Sequence, residues 1–195
     1  MDFIIALVVV AVAAVVALGV LRRRRGLVLR SPRIGFLNLL GEAGEALVAE
    51  DRAALAPLFS AAVERGDLPA PVCDVLFVYA DLGRDGNVFA TEVGLRHLVR
   101  KSRARVLVVA SENTSETCIT AAQEAGHSGA NLMLTMARNG AEFPELCARL
   151  FQEMLKGTPM PAAYGGLAPQ GKIFLADAGD VVFADTGTGG GDSLR

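Results

Sequence analysis

The sequence has few of the side chains that carry nucleophilic or metal chemistry. Its 195 residues include two histidines, His97 and His127, and three cysteines, Cys73, Cys118 and Cys147. The cysteines are far apart, and there is no CxxC motif, so the spacing of a zinc site is absent and no metal is assigned. Cys118 and Cys147 fall on predicted apolar helix faces, which shield a thiol and keep its pKa ordinary or raised. A Cys/His dyad is therefore disfavoured, and reduced, buried thiols suit a cytoplasmic domain.

Short motifs that bind nucleotides or activate a serine are also missing. There is no Walker loop and no GxGxxG, and Ser111 lacks the GxSxG elbow. The glycines after Thr186 are followed by no lysine and no predicted helix, so they do not resemble a phosphate loop. Residues 186–195 carry too little apolar surface to fold, and we predict a disordered tail. The motifs assign no catalytic residue and no cofactor.

The sequence does contain one long hydrophobic run, from Phe3 to Leu21, directly followed by four arginines. About 20 apolar residues cross a hydrocarbon core of roughly 30 Å as a helix. A cleavable signal peptide would carry positive charge ahead of a shorter apolar segment, whereas the charge ahead of this run is Asp2. A core helix would not be apolar on every face. We therefore expect residues 1–21 to be a retained transmembrane anchor. The membrane-flanking residues are Arg22, Arg23, Arg24 and Arg25.

The position of these arginines predicts the orientation of the chain. Positive charge after the run places everything beyond Leu21 in the cytoplasm and the N-terminus outside, as a single-pass protein of the cell's inner membrane. Residues 22–32 form a basic juxtamembrane spacer, which also attracts anionic headgroups. The net charge is −2, so the rest of the chain is acidic and nucleic acid is not expected as a partner. The expected partners are the lipid bilayer and a protein at the membrane.

Residues 33–185 show strands alternating with helices, which indicates parallel crossover connections. We predict an α/β fold, a three-layer sandwich with a mainly parallel sheet and a C-terminal hairpin. Asn113 and Glu116 have the spacing of a capping box, and 158–170 is predicted as a loop around Tyr164. The predicted strands are 34–40, 74–80, 105–110, 131–136, 172–176 and 180–184, and the predicted helices are 50–65, 91–102, 114–125 and 143–155.

Polar side chains follow three of the predicted strands. Because ligands of open parallel sheets bind beyond the carboxyl ends of the strands, these side chains should converge on one rim. A carboxylate pair, a hydroxyl and an arginine could hold a divalent cation or a phosphate, but turn formation, helix capping and ion pairing would explain the same residues. The candidate ligand-binding residues are Asp81, Asp85, Ser111, Glu112, Asn113 and Arg138.

The segment from Asp81 to Val88 has part of the pattern of a calcium loop. Asp85 and Gly86 are followed six residues later by Glu92, the spacing of the bidentate ligand. Gly83 occupies a position where the motif needs a second oxygen ligand. A plain strand-to-helix connection is therefore the favoured interpretation.

The order of several segments resembles a known family. The segments are 75–81, a buried strand; Gly94 to Arg96; 104–111, a second strand; 149–157, the end of a helix; and 168–170. This order is similar to the C-terminal half of the caspase-like CHAT peptidase domain. In that family the first strand delivers the catalytic cysteine just past its end, and a histidine precedes it. Here that position is Ala80 or Asp81, and no histidine occurs before His97. The resemblance implies a non-catalytic relative or another activity on the same framework.

Three functions remain open from the sequence. The first is a membrane-anchored α/β binding or signalling module without catalysis. The second is a metal-dependent enzyme on a phosphate-bearing or nucleotide-like substrate, in which Asp81 and Asp85 hold the metal and Arg138 the phosphate. Ser111 or Asn113 would orient that phosphate. The third is a caspase-like cysteine peptidase.

Overall fold

The computed structural model describes residues 26–89 and 91–184. The strands are β1 Leu27–Arg30, β2 Arg33–Asn38, β3 Ala61–Arg65, β4 Val75–Tyr79, β5 Asn87–Val88, β6 Val93–Gly94, β7 Val106–Val109, β8 Asn131–Thr135, β9 Lys172–Ala176 and β10 Val181–Ala184. The helices are α1 Glu42–Leu55, α2 Leu95–Ser102, α3 Ser115–Glu124, α4 Glu142–Leu155 and α5 Met160–Leu167, and a 3₁₀ turn covers Ala56–Leu58.

A central sheet of six strands organises the domain. Its order is β3-β2-β4-β7-β8-β9, and every neighbouring pair is parallel except β8 with β9. The strand starts are in register, because Ile34 pairs with Val75, Val75 with Val106, and Val106 with Asn131. The predicted α/β class with a mostly parallel sheet is confirmed.

Two apolar clusters pack against the two faces of this sheet. On one face, Phe36 and Phe77 contact residues of α1, α4, α5 and β10. On the other, Leu76 and Leu107 contact residues of α2 and α3. Every residue of β4 and β7 is buried, as expected for strands covered on both faces. Helices therefore cover both faces of the sheet. They leave open the edge at which the parallel strands begin and the edge at which they end.

The predicted helix over residues 50–65 is wrong in both its start and its end. The helix α1 begins at Glu42 and ends at Leu55, and Pro57 lies in the 3₁₀ turn that follows. Residues 61–65 then form β3, which pairs with β2 along its whole length. A proline cannot donate a backbone hydrogen bond in a helix interior, so the chain is free to turn here and extend along the sheet edge.

The predicted C-terminal hairpin is also wrong. The strand β9 pairs with β8, and β10 pairs in parallel with β1, at residues 27–30 of the segment predicted as a spacer. The turn between them is held by Asn131, whose Oδ1 accepts from the Ala178 N–H and whose Nδ2 donates to the Gly179 carbonyl. This anchoring sends β10 away from the sheet, and Val181 and Phe183 become buried in the core.

The segment predicted as a loop at 158–170 contains α5. Its Tyr164 ring stacks on Phe174 of the edge strand β9, with ring centroids 4.4 Å apart. The first predicted strand, by contrast, agrees with β2, and the predicted helix 143–155 agrees with α4 to within one residue.

The predicted anchor at 1–21, the arginines at 22–25 and the predicted tail at 186–195 lie outside the described residues. Within the part of the chain that the structure describes, no helix combines the length and hydropathy needed to span a membrane.

Candidate functional site

The loops after β4, β7 and β8 meet at the edge of the sheet where the parallel strands end, which we call the carboxyl edge. They enclose an open groove of about 480 Å³. Of the six candidate residues, Asp81, Glu112 and Asn113 line this groove, and the first two are exposed. The remaining lining residues are Leu82, Thr114, Thr117 and Met136.

Ser111 lies beneath the groove and is used by the backbone. Its Oγ donates to the Ala80 carbonyl at 2.6 Å and accepts from the Ala80 N–H at 2.9 Å. The residue is 3 % exposed. Because both bonds go to the end of β4, this hydroxyl fixes β4 to the loop after β7 and is not free to attack a substrate.

Asn113 has a similar role. Its Oδ1 accepts from the Leu82 N–H at 2.7 Å, and its Nδ2 donates to the Ala80 carbonyl at 3.2 Å. The predicted capping box at Asn113 is wrong, because Thr114 is the N-cap of α3 and its side chain accepts from the Thr117 N–H. The carboxamide is held at the strand end, so the next residue takes the capping position.

Asp85 does not join the groove. It lies in the tight turn after β4, where its carboxylate accepts from both the backbone N–H and the side-chain amide of Asn87, at 3.1 and 2.9 Å. These bonds hold the pKa of Asp85 below its ordinary value. Gly86 in this turn has a φ of +78° and packs so closely on α3 that a Cβ would lie 2.8 Å from Ala121 backbone atoms. The turn is thus a packing element, and no cluster of three metal-ligating side chains occurs among the described residues.

The guanidinium of Arg138 points into the protein. It donates to both oxygens of Asp51, at 2.7 and 3.0 Å, and to the Ala110 carbonyl at 2.9 Å. Asp51 is 0 % and Arg138 4 % exposed. Arg138 also reaches the partly exposed Glu50 at 3.2 Å, and its guanidinium stacks on the Phe143 ring, 4.4 Å from the centroid. This cation is therefore occupied within the fold, and only its backbone N–H, which donates to Glu112, contributes to the groove.

Asp51 and Tyr79 complete a buried polar network that the sequence analysis missed. The Tyr79 hydroxyl donates to Asp51 at 2.7 Å. Burial raises the pKa of Asp51, and the hydrogen bonds and charge of Arg138 oppose that shift. Burial, together with the neighbouring carboxylate, raises the pKa of Tyr79. One signal was available: Asp51 lies three residues after Val48 and four before Leu55, on the face of α1 that faces the core.

Two buried polar atoms of this region have no hydrogen-bond partner among the described residues. They are Nε of Arg138 and Oγ1 of Thr135. Thr135 is the last residue of β8, and Arg138 lies in the loop that follows. The network is therefore not fully satisfied, although both oxygens of Asp51 and both terminal nitrogens of Arg138 are paired.

Lys172 lies beside the same loop, at a smaller cleft of about 240 Å³. Its ammonium donates to the carbonyls of Ala137 and Gln170 at 3.0 and 3.1 Å. Burial lowers the pKa of Lys172. This second cation of the carboxyl edge is therefore also hydrogen-bonded within the fold, to two backbone carbonyls.

The three cysteines are buried thiols. Burial raises the pKa of Cys73 to about 12 and that of Cys118 to about 11, and it raises the pKa of Cys147 well above its ordinary value. His97 and His127, by contrast, are both exposed. Shielded, protonated thiols and surface imidazoles do not make a nucleophile with its base.

Comparison of the chain with protein-family models, with curated proteins and with solved structures found no match. The chemistry available at the carboxyl edge follows from the geometry of the site. That geometry leaves an open groove with two exposed carboxylates, while the hydroxyl, amide and cations around it are used to hold the strand ends.

Proposed function

We propose that this chain is a single-pass membrane-anchored protein that presents a cytoplasmic α/β domain as a non-catalytic binding module. The carboxyl-edge groove is its contact surface. The observation that carries the proposal is the internal use of Ser111, Asn113 and Arg138, the three side chains best suited to catalysis or phosphate binding. A reacting group must be free to meet a substrate, and hydrogen bonds within the fold already occupy these groups.

The free surface at this edge favours a basic protein segment as the partner. Asp81 and Glu112 are exposed carboxylates in the groove. Phe89 is 70 % exposed, and its backbone N–H donates to the Asp81 carbonyl, so an aromatic ring adjoins the acidic groove. An aromatic anchor beside complementary charge is a common arrangement at protein interfaces. The tether raises the local concentration of membrane partners, so weak contacts suffice.

The enzyme alternatives gain no support from the described residues. Phosphate chemistry needs Asp81, Asp85 and Arg138 to act together, yet Asp85 is bonded to Asn87 and Arg138 to Asp51. The cysteine peptidase hypothesis needs an accessible thiolate, and the three thiols are buried with raised pKa values.

Thermal melting of the full chain in lipid nanodiscs, against divalent metals and nucleotides, tests whether the domain binds the ligands that the metal-dependent enzyme would need. A ligand that binds only the folded state raises the melting temperature according to RT ln(1 + [L]/Kd). We expect no shift with any of them. A shift that is lost in Asp81→Ala would instead support the metal-dependent enzyme.

A reporter fused after Arg195 tests the compartment. We expect cytoplasmic reporter activity, since the arginines after the hydrophobic run should stay inside. Activity on the outer side of the membrane would overturn both the orientation and the proposed site of action.

A further inference from the structure

The chain enters the domain at the edge of the sheet where the parallel strands begin, which we call the amino edge. The Leu27 N–H donates to the Asp180 carbonyl at 2.7 Å. The neighbouring Gly179 carbonyl accepts from Asn131, the first residue of β8. At the other end of β1, the Ser31 carbonyl accepts from Ser60, the residue before β3. The strand β1 therefore runs along the amino edge, opposite the groove.

Six exposed basic side chains gather at this edge. Two lie on β1 and β2, two in the last turn of α2, and two in the segment between α2 and β7. The Cys73 N–H donates to the Ser102 carbonyl, which fixes the last turn of α2 beside the start of β4. None of the ion pairs within the described residues involves any of the six. They are Arg30, Arg33, Arg100, Lys101, Arg103 and Arg105.

Carboxylates at the amino edge offset this charge only in part. Asp74 accepts from the Arg33 N–H and Asp177 from the Gly129 N–H, so both are turned to the backbone. Asp180 lies there too, as does Glu124, the exposed last residue of α3. Acidic side chains dominate the opposite edge instead, in the groove and in the first turns of α1, α3 and α4, where a helix N-terminus favours negative charge. The domain therefore has a basic and an acidic end.

Exposed apolar side chains accompany the basic ones. Val28 on β1 and Val72, just before β4, are 50 % and 52 % exposed. A cleft of about 360 Å³ opens between α2 and the loop before β4, lined by Leu68, Pro69, Ala70, His97, Leu98 and Lys101. Basic residues with interspersed apolar ones are the composition of surfaces that bind the headgroup region of anionic bilayers.

We propose that the amino edge lies against the anionic headgroups of the membrane, so that the groove at the carboxyl edge faces the cytoplasm. This inference rests on the proposed anchor. Leu21 and Leu27 are six residues apart, which limits their separation to roughly 20 Å even in an extended chain. The positive-inside rule expects the arginines at 22–25 at the same interface, and each basic residue near such a surface adds to the attraction.

Because salt screens charges over a short distance, the headgroups act only on the edge that contacts them. The Debye length at physiological salt is about 8 Å, whereas a strand of the length of β4 spans roughly 16 Å. The acidic groove is thus beyond the range of repulsion from the headgroups when the amino edge is in contact. The opposite orientation would bring carboxylates to the anionic surface and is disfavoured.

The test uses the full chain in lipid nanodiscs, with one added cysteine carrying a fluorophore. Val72→Cys labels the amino edge and Phe89→Cys the carboxyl edge. The native cysteines are at most 4 % exposed, so the added one is labelled selectively. Headgroup spin-labelled lipid quenches nearby fluorophores. We expect stronger quenching at position 72 than at 89, increasing with the fraction of phosphatidylglycerol and decreasing with salt.

Two sets of substitutions distinguish the effect of the basic edge on the quenching from the effect of the total charge of the domain. Arg100→Gln with Lys101→Gln should reduce the quenching at position 72 in anionic lipid, towards its level in uncharged lipid. The matched control, Arg65→Gln with Arg84→Gln, removes the same charge beyond β3 and β4 and should leave the quenching unchanged. Equal quenching at the two labels, or quenching at 72 that ignores lipid charge, would overturn the inference.

Flotation with vesicles distinguishes a failure of the docked amino edge from a failure of the proposed membrane anchor. One outcome is that the chain floats with uncharged vesicles and yet shows equal quenching at the two labels. That result supports the anchor and overturns only the docking of the amino edge. If it floats with anionic vesicles alone, the basic edge holds and the anchor is overturned. Flotation with neither overturns both proposals.

Discussion

The buried ion pair between Arg138 and Asp51 gives the sharpest stability prediction. In Arg138→Met, Asp51 keeps only the hydrogen bond from Tyr79, and the Ala110 carbonyl loses its donor. Removing one partner of a buried pair typically costs about 3–5 kcal/mol, because the other charge is left in the interior. We therefore expect the free energy of unfolding to fall by about that amount. With a urea m-value of about 2 kcal/mol per molar, the midpoint shifts down by roughly 2 M.

The assay is urea unfolding of the full chain in detergent micelles, followed by the near-ultraviolet circular dichroism of its two tyrosines. Arg52→Met is the matched control. Arg52 pairs with Glu64 at 2.9 Å, but the two side chains are 53 % and 43 % exposed, so the pair contributes under about 1 kcal/mol. Asp51→Asn combined with Arg138→Met should be more stable than Arg138→Met alone, since no uncompensated charge remains. A double variant no more stable than the single one would refute the argument.

Three further outcomes follow from the site. Ser111→Ala should lower the free energy of unfolding by about 1–3 kcal/mol because it leaves the Ala80 N–H without an acceptor and the Ala80 carbonyl with only the Asn113 amide as donor, whereas Asp81→Ala should change it by under about 0.5 kcal/mol; equal urea midpoints would contradict this. Gly86→Ala should destabilise by more than about 1 kcal/mol, since its φ of +78° and the close backbone of α3 leave no room for a Cβ, and thermal melting measures the loss. The thiols of Cys73 and Cys118 should resist alkylation at pH 8 until the chain unfolds. Their folded pKa values of about 12 and 11 exceed the ordinary 9.0, so the folded state also holds those protons more tightly, and stability should decline as pH rises above 9; rapid native alkylation would refute the burial argument.

Buried strands and the clearest helix were predictable from the sequence because their patterns are long and unambiguous. The strands around Phe77 and Val108 read as continuous apolar runs, and α4 keeps its helical spacing for the whole of its length. The convergence of polar loops at one edge followed from the parallel order of the strands. These features depend on local patterns and on general rules of topology.

The remaining features depend on contacts between distant residues. Nothing local to Val181 or Phe183 shows that β10 leaves the sheet, because Asn131 holds the turn that redirects it. Similarly, the loop position of Arg138 predicts a rim residue, and only its burial against Asp51 of α1 shows that it is structural. Side-chain partners of this kind are set by the fold and carry no short-range signal.

The parallel pairing of β1 with β10 also dictates when the domain can close during synthesis. The first strand of the described domain, β1, pairs with β10, which is synthesised only after α5 and β9. Until β10 leaves the ribosome, the apolar side chains of Leu27 and Leu29 lack the strand that lines up beside them. A chain that ended before Val181 would therefore contain all six strands of the central sheet and have an open seam at the edge where the chain enters the domain.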